Sequence, residues 1–257
     1  MSSILFEVKD NIGFITLNRP EKLNSFDREM ALLMQQKLDE CVANTIRCVY
    51  ITGAGKGFCA GQDLAEVTDP GGPGFNVILS EHYNPIVTRI RKLEKPVIAA
   101  INGVAAGAGV NIALSCDIVV ASLSASFIQA FSKIGLVPDS SGTYTLPRLI
   151  GWQKASALMM LGDKVSATDA EKMGMLYKVF PDESFVAEST KIAQTLAKMP
   201  TKGLAYTKKL LGLSYTATFE EQLQNEDIFQ QKSAQTADYK EGVIAFIEKR
   251  QPTFKGE

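Results

Sequence analysis

The chain has 257 residues, of which 46% are hydrophobic and 21% charged, and its formal net charge is −1. This balance supports a sizeable folded core, and it argues against disorder and against a general attraction to nucleic acid or to an anionic membrane. The four scattered cysteines form no C-x-x-C pair, which favours reduced thiols in a cytoplasmic protein over a disulfide framework or a metal site, and no stretch reaches the roughly 18 apolar residues of a membrane span.

The first third of the chain alternates predicted strands and helices. Residues 4–20 alternate apolar and polar side chains around a central Asp-Asn pair, which predicts a two-stranded hairpin. Residues 27–43 have apolar side chains at helical spacing, and residues 47–53 form a short β-rich run that ends in glycine. Residues 68–76 are rich in Gly and Pro and predict a mobile surface loop, which a helix follows over about 77–93.

The middle of the chain predicts parallel strands with crossover helices. Residues 95–103 form a continuous apolar run that is typical of a buried strand. Residues 107–121 begin as a helix and continue as another strand. This β-α-β order predicts an α/β fold.

Helices dominate the chain after Gly151. A Ser-x-x-Asp cap and a Gly stop bound one helix at 166–174, a short strand follows, and only helices are predicted from about residue 182. We therefore divide the chain into a core over residues 1–200 and a helical region over residues 201–257.

The first candidate site is "GAGKGFCAGQDL", residues 53–64. Its small residues let a ligand approach the backbone, so that amide N–H groups can point at it. A P-loop is excluded because Lys56 is followed by Gly57 rather than by Ser or Thr. The stretch alone is equally compatible with a strand-to-helix turn that is capped by Asp63.

The second is "NGVAAGAGVNIALSCD", residues 102–117, in which a strand ends and a helix begins among Gly and Ala. The first amides of that helix have no internal partners and suit an oxygen that gains negative charge. A dinucleotide-binding fingerprint fails because Ile112 stands where its third glycine belongs. The alternative is a tightly packed helix entry that needs small residues.

The third is "GLVPDSSGTYTLPRLIG", residues 135–151, where Asp139 lies among apolar and small residues with no basic residue before Arg148. Asp139 either caps a helix that begins near Ser140, which would lower its pKa, or lies in an apolar pocket, which would raise its pKa. The isolated pattern favours the cap. A carboxylate with a raised pKa would suit proton transfer near neutral pH.

In this order the three motifs resemble the crotonase family, also called enoyl-CoA hydratase/isomerase. The resemblance extends from "ITLNRPEKLNSF" to "ADYKEGVIAFIEKRQPTFKG" and so covers essentially the whole chain. It implies an α/β fold with a spiral core of ββα turns and a C-terminal helical region that builds a homotrimer, often a dimer of trimers. It also implies an acyl-CoA substrate and no separate cofactor, since coenzyme A is part of the substrate thioester.

The resemblance also implies which residues bind the acyl-CoA. The thioester oxygen would accept from the backbone amides of Ala60 and Ala108. The residues that shape the oxyanion hole or contact the substrate around it are expected to be Gly61, Gln62, Asp63, Leu64, Gly107, Gly109 and Phe131. The loop along the CoA nucleotide is matched by Lys22, Leu23 and Asn24. The pair that reaches the adenine of a neighbouring subunit is matched by Phe254 and Lys255.

The reaction is predicted from which acids the chain carries. Hydratases of the family use two glutamates, and Asn111 and Phe131 stand at those positions here. Asp139 instead matches the carboxylate of aspartate-dependent isomerases, and Phe131 would help to exclude water from it. The motifs "FCAGQDL", "NGVAAGAG", "FSKIGLVPD" and "TADYKEGV" resemble the subgroup that isomerises the ring epoxide of phenylacetyl-CoA. We therefore predict an isomerase with Asp139 as its only general acid/base and with double-bond shifting as a second activity.

Three alternatives remain at this stage. An enoyl-CoA hydratase is the nearest, and a non-catalytic CoA- or RNA-binding scaffold is of a different class, although the charge balance argues against RNA. A Ser or Cys hydrolase is poorly supported, because the only histidine, His82, is expected at the surface. The resemblance nevertheless puts His82 and Tyr83 in a helix that covers the acyl pocket.

Overall fold

The computed structural model describes residues 2–257, and its larger sheet has six strands. They are β1 (Ile4–Lys9), β2 (Ile12–Leu17), β3 (Cys48–Gly53), β5 (Val97–Ile101), β7 (Ile118–Ser122) and β10 (Lys178–Phe180). The sheet order is β1-β2-β3-β5-β7-β10, and all pairs except the antiparallel β1–β2 hairpin are parallel. The hairpin turns at Asp10 and Asn11, whose positive φ angles of 51° and 60° suit a tight turn.

A second sheet of four short strands was not predicted from the sequence. It contains β4 (Gly57–Cys59), β6 (Val104–Ala106), β8 (Ser126–Ile128) and β9 (Lys164–Ser166) in that order. Strands β4, β6 and β8 are parallel, and each follows a strand of the larger sheet after a short connection. The chain therefore repeats a strand, a second strand and a helical segment, which is the ββα unit that the resemblance implied.

The helices of the first half surround these strands. They are α1 (Arg28–Glu40), α2 (Leu64–Thr68), α3 (Phe75–Val77), α4 (Asn84–Lys92) and α5 (Ala108–Leu114), with 3-10 turns at Pro20–Lys22 and Ala130–Ile134. The continuous helix predicted over 77–93 is instead interrupted by a π-helical segment, Ile78–Tyr83. Such widened turns are frequent at functional sites.

The second half is mainly helical, as predicted. It contains α6 (Gly142–Ile150), α7 (Trp152–Leu161), α8 (Ala167–Lys172), α9 (Asp182–Lys198), α10 (Thr201–Leu213), α11 (Phe219–Ala234) and α12 (Ala237–Ile247). Helix α10 is tied to the core by an ion pair of 2.8 Å between Lys208 Nζ and Asp117 Oδ2. It begins at Thr201, where we place the boundary of the C-terminal region, and that division stays a prediction.

Two apolar clusters sandwich the larger sheet. Along β3, Val49 and Ile51 point into the main cluster, whereas Cys48 and Tyr50 point into a second cluster that includes Phe185 of α9. Successive side chains of a strand point to opposite faces, so β3 is buried on both sides. This double burial explains why its sequence is a continuous apolar run rather than an alternating one.

All four cysteines are buried as free thiols. Burial raises the pKa of Cys41, Cys48 and Cys59 to about 12, and it also raises the pKa of Cys116. Because the thiolate is the reactive form, we expect no fast reaction of the native protein with a thiol-specific disulfide reagent at mildly alkaline pH, and reaction of all four after denaturation. A rapidly titrating thiol in the native protein would contradict this burial.

Candidate active site

A cavity of about 540 Å³ opens between the β4–α2 loop, the start of α5, the π-helical segment and the loop that follows β8. The predicted site residues that line it are Lys22, Ala60, Gly61, Gln62, Asp63, Leu64, Gly107, Ala108, Phe131 and Asp139. Three motifs that are far apart in the sequence are thus brought to one cavity.

The β4–α2 loop and the start of α5 approach each other closely at this cavity. Gly61 has a φ of +91°, and a methyl group on its Cα would lie 3.0 Å from Ala106 O and 3.4 Å from Ala108 N. Ala108 is the first residue of α5, and within residues 2–257 its N–H donates to no acceptor. Glycine at position 61 is therefore required for the two backbone segments to meet.

The amide of Ala60 is not the free donor that we predicted. It donates to Leu23 O at 2.9 Å, because Leu23 and Asn24 form a left-handed turn with φ angles of 49° and 57°. The N–H of Gln62, two residues on, has no acceptor in the described chain from residue 2 to residue 257. Gln62 and Ala108 therefore carry free amides at the cavity and Ala60 does not, a correction that depends on a turn the sequence pattern did not reveal.

The side chain of Gln62 is held on both of its polar atoms. Tyr83 Oη donates to Gln62 Oε1 at 2.9 Å, and Gln62 Nε2 donates to Glu66 Oε2 at 2.7 Å. Tyr83 is only 1% exposed and packs edge-on against Phe26. These contacts restrain the backbone of Gln62 at the cavity wall.

Asp139 is a partly buried carboxylate without a cationic partner in the described part of the chain. Burial raises its pKa above the ordinary 3.8, although its Oδ1 accepts from Ser140 Oγ at 2.7 Å. The expected cap is wrong, because α6 begins at Gly142 and the main-chain carbonyl of Asp139, not its carboxylate, accepts from the Gly142 N–H. The structure thus supports the apolar-pocket alternative.

The two positions that the resemblance matches to the glutamates of hydratases hold neutral side chains. Phe131 lines the cavity, and its ring lies 3.8 Å from where a methyl group on Gly107 would be. Asn111 is fully buried and does not line the cavity. Its side chain instead bonds to Gln129 and to the Asp139 carbonyl.

Other predicted residues lie behind or away from the cavity. Asn24 is buried, and its Nδ2 donates to Ala54 O and Gly57 O, so that it supports the loop instead of contacting a ligand in the cavity. Gly109 packs against Cys59 with no room for a side chain. Leu23 is 41% exposed and outside the cavity wall.

The C-terminal pair lies beside α10 and α12. Arg47 Nη1 donates to Phe254 O at 2.8 Å, and the Lys255 N–H donates to Asp238 Oδ1 at 2.6 Å. Neither Phe254 nor Lys255 lines the cavity of its own chain. Their contact with a neighbouring subunit's adenine stays a prediction.

His82 is not at the surface as expected. It is 1% exposed, its Nε2 lies 3.1 Å from Arg28 Nη1, and burial lowers its pKa. It does not line the cavity, whereas its neighbour Tyr83 does. Within residues 2–257 no cluster of three or more His, Cys, Asp and Glu could hold a metal ion.

Sequence reasoning missed much of the cavity wall. The additional residues are mostly apolar, and they are Ser25, Val67, Phe75, Ile78, Ala130, Lys133, Ile134 and Leu136. Phe75 and Ile134 are large apolar side chains that remain exposed, at 45% and 57%. The position of Phe75 depends on how the segment after α2 folds back, and that of Ile134 depends on the 3-10 turn at Ala130–Ile134; local pattern determines neither. No helix of the described chain, residues 2–257, has the length and apolar character to cross a membrane.

Comparison with known proteins identifies the family. Residues 7–257 match the family described as enoyl-CoA hydratase/isomerase. The 1,2-epoxyphenylacetyl-CoA isomerase of Escherichia coli strain K12 is 46% identical over 100% of both chains. A trans-2-decenoyl-acyl-carrier-protein isomerase of Streptococcus mutans is 33% identical, over 99% of this chain and 98% of the relative. The crystal structure of an enoyl-CoA hydratase from Bacillus anthracis superposes with a TM-score of 0.92 at 32% identity, over 99% of this chain and 100% of that one.

These matches confirm the expected crotonase-like α/β fold, in which the ββα repeats form the core and helices complete the C-terminal region. They extend over nearly the full length of both compared chains, and the motifs that carried the resemblance line one cavity. The chain belongs to the enoyl-CoA hydratase/isomerase family and is an enzyme of that family.

Proposed function

We propose that this enzyme is an acyl-CoA isomerase in which two backbone amides hold the thioester oxygen and Asp139 moves a proton. The observation that carries the proposal is the arrangement of the cavity wall. Free N–H groups of Gln62 and Ala108 come from the β4–α2 loop and the start of α5, and a carboxylate without a cationic partner within residues 2–257 lies in the same cavity. Burial keeps the pKa of that carboxyl raised, as a proton-transfer group near neutral pH needs.

The chemistry follows from these groups. Asp139 takes a proton from the carbon next to the thioester carbonyl, and the electron pair moves onto the thioester oxygen. Hydrogen bonds from Gln62 and Ala108 stabilise this enolate, and each such donor lowers a barrier by about 3 kcal/mol. Asp139 then returns the proton to another atom of the acyl group. The product has the same atoms as the substrate, so that no water and no separate cofactor is consumed.

The proposed substrate is 2-(1,2-epoxy-1,2-dihydrophenyl)acetyl-CoA of phenylacetate catabolism, with an oxepin-CoA as its product. In this conversion the ring C–C bond that the epoxide oxygen bridges opens, and its electron pair joins the double bonds of the seven-membered ring. The enolate electron pair then forms the exocyclic double bond, while Asp139 returns the proton to a ring carbon. The relative from Escherichia coli is named for the isomerisation of this epoxide. A wall of Val67, Phe75, Ile78, Ile134 and Leu136 offers apolar surface to a carbocyclic ring. Double-bond isomerisation of enoyl-CoAs is a second activity that the same carboxylate allows.

The substrate is tested by incubating the enzyme with crotonyl-CoA, a 3-enoyl-CoA and the phenylacetyl-CoA epoxide. Products are followed by absorbance and mass spectrometry. Conversion of the epoxide without a change in mass supports the proposal. Turnover of the 3-enoyl-CoA alone would restrict the function to double-bond isomerisation.

Enoyl-CoA hydration is the second candidate, because the structural relative from Bacillus anthracis is named a hydratase. We expect crotonyl-CoA hydration to be slower than isomerisation by about 10²-fold or more, since Asn111 and Phe131 supply no carboxylate for water activation. The loss of the crotonyl-CoA absorbance measures it. Hydration as fast as isomerisation would favour the hydratase.

The pH dependence of kcat/KM is a further expectation. Asp139 is active as a base only when it is ionised, and burial raises its pKa above 3.8. Activity should therefore fall, as the pH is lowered, through an apparent pKa above that of an ordinary aspartate. Asp139→Glu is the informative comparison, because a limb that arises from Asp139 should move with this change. If the acidic limb of the pH profile has the same apparent pKa in Asp139→Glu as in the wild type, the limb arises from another group.

We also propose a cytoplasmic homotrimer or dimer of trimers, which binds neither nucleic acid nor membrane. Helix α12 carries large apolar side chains that one chain leaves exposed, with Phe246 85% and Ile247 72% exposed. Surfaces of this kind are commonly covered by another subunit. Light scattering coupled to size-exclusion chromatography measures the assembly.

A further inference from the structure

Two buried amide side chains connect the helix of the second motif with the loop of the third. Gln129 Nε2 donates to Asn111 Oδ1 at 2.8 Å, and Asn111 Nδ2 donates to Asp139 O at 2.8 Å. Asn111 and Gln129 are 0% and 3% exposed. A methyl group on Gly142 would collide with the Asn111 amide, so that the loop closes directly over this side chain.

The contact fixes the peptide group that follows Asp139. Its carbonyl accepts from Asn111 Nδ2 and from the Gly142 N–H, both at 2.8 Å. The next residues, Ser140 and Ser141, have φ angles of 49° and 68°, a conformation that side-chain-bearing residues seldom adopt. Such residues persist only where their surroundings hold them in place. The Asn111 amide is one of the groups that do so.

The two hydrogen bonds run in one direction, from Gln129 to Asn111 and from Asn111 to Asp139. Gln129 uses its amide NH₂ toward Asn111, while its own Oε1 is buried without a partner in the described chain. Leaving the Oε1 of Gln129 unpaired in the interior costs free energy. In this arrangement Gln129 Nε2 donates to Asn111 Oδ1, and Asn111 Nδ2 in turn donates to the main-chain carbonyl of Asp139. Hydrogen bonds in a series polarise one another, so that Gln129 strengthens the donor that reaches the loop.

We propose that Asn111 and Gln129 are positioning residues, which orient the carboxylate of Asp139 by fixing its main-chain carbonyl. This rests on the proposed function, in which Asp139 transfers the proton. Neither side chain lines the cavity, so both act through Asp139 and not on the substrate. Asn111 and Gln129 thus hold the loop that carries the base.

The test uses near-isosteric variants at both ends of the pair. Asn111→Asp keeps the shape and the acceptor for Gln129, and its ionised form replaces the donor by an oxygen that repels the Asp139 carbonyl. Activity is therefore compared on the alkaline side of the pH profile, where the buried carboxyl has lost the proton that it could otherwise donate. Gln129→Met removes the donor to Asn111 and does not touch Asp139. The control is Ser189→Ala, which removes a fully buried hydroxyl that bonds Tyr50 Oη at 2.8 Å on the opposite side of the larger sheet.

We expect Asn111→Asp to lower kcat for isomerisation by about 10- to 100-fold and Gln129→Met by less. Binding of a saturated acyl-CoA, measured by calorimetry, should stay within about twofold in both. The double variant should lose no more activity than Asn111→Asp alone, since the residues act in series. Ser189→Ala should lose stability but keep kcat. Retention of kcat by Asn111→Asp on the alkaline side of the pH profile, or a parallel loss of binding, overturns the proposal.

Hydrogen–deuterium exchange gives a readout that does not depend on the reaction. Exchange of the amides at 140–145 should become faster in Asn111→Asp but not in Ser189→Ala. Unchanged exchange overturns the positioning role even if the wild-type enzyme isomerises its substrate. Absence of isomerisation by the wild type, with faster loop exchange in the variant, refutes the proposed function but leaves the contact with the loop established.

Discussion

Asp139→Asn is expected to lower the rate of isomerisation by about 10²- to 10⁴-fold, the usual contribution of a positioned acid or base. The amide has nearly the shape of the carboxylate but cannot accept the proton. Binding of a saturated acyl-CoA should be largely unchanged, because the Gln62 and Ala108 amides and the rest of the wall stay in place. Activity and calorimetric binding on the same preparation measure the two effects.

The same substitution should not destabilise the protein. Burial raises the folded-state pKa of Asp139 above its unfolded value, so that the folded protein loses stability as the pH rises through that folded pKa. A neutral side chain removes this loss near neutral pH. A thermal melt of Asp139→Asn should therefore give a Tm equal to or above that of the wild type. Near-normal activity in the variant would show that another group is the base.

The second large effect is expected from Gly61→Ala. The added methyl group would lie 3.0 Å from Ala106 O, in a backbone conformation with φ of +91° that alanine disfavours. The β4–α2 loop must then move away from the start of α5, which changes the separation of the Gln62 and Ala108 amides. Loss of one such donor costs about 10²- to 10³-fold in kcat.

Gly151→Ala is the matched control for this variant. Gly151 has a φ of +78°, and nothing lies within 4 Å of where its methyl group would be. The Gly151→Ala substitution therefore introduces similar backbone strain, but it causes no collision and lies away from the cavity. Both variants should be less stable than the wild type, but only Gly61→Ala should lose activity beyond its loss of folded protein. Equal kcat in the two variants would contradict the role of the loop approach.

Much of the fold was predictable because its signals are local. The hairpin at Asp10 and Asn11, the helix after Asp27 and the buried strands all follow from side-chain periodicity and turn residues. The small sheet was not predictable, since its strands of three residues are too short to show a period. The interrupted helix at Ile78–Tyr83 has apolar spacing that resembles an ordinary helix.

The candidate site was likewise predictable only in part. Motif order brought Gly61, Ala108 and Asp139 together correctly, because parallel strands deliver their following loops to one edge of a sheet. The prediction of the Ala60 amide as a donor to the thioester oxygen failed, since that amide donates to the Leu23 carbonyl, which reaches it from a distant part of the chain. Donor availability is a property of tertiary hydrogen bonding, and no local pattern contains it.

The pairing of β4 with β6 has a consequence for how this scaffold can change its chemistry. The two adjacent strands lead directly into the segments that carry the Gln62 and Ala108 amides, so ladder bonds between main-chain atoms set the separation of those donors. Side-chain replacements elsewhere in the cavity leave that separation alone. Related enzymes can therefore differ in the residues of the acyl pocket, or carry the acid on a different ββα turn, while the two amides that bind the anionic oxygen keep their separation.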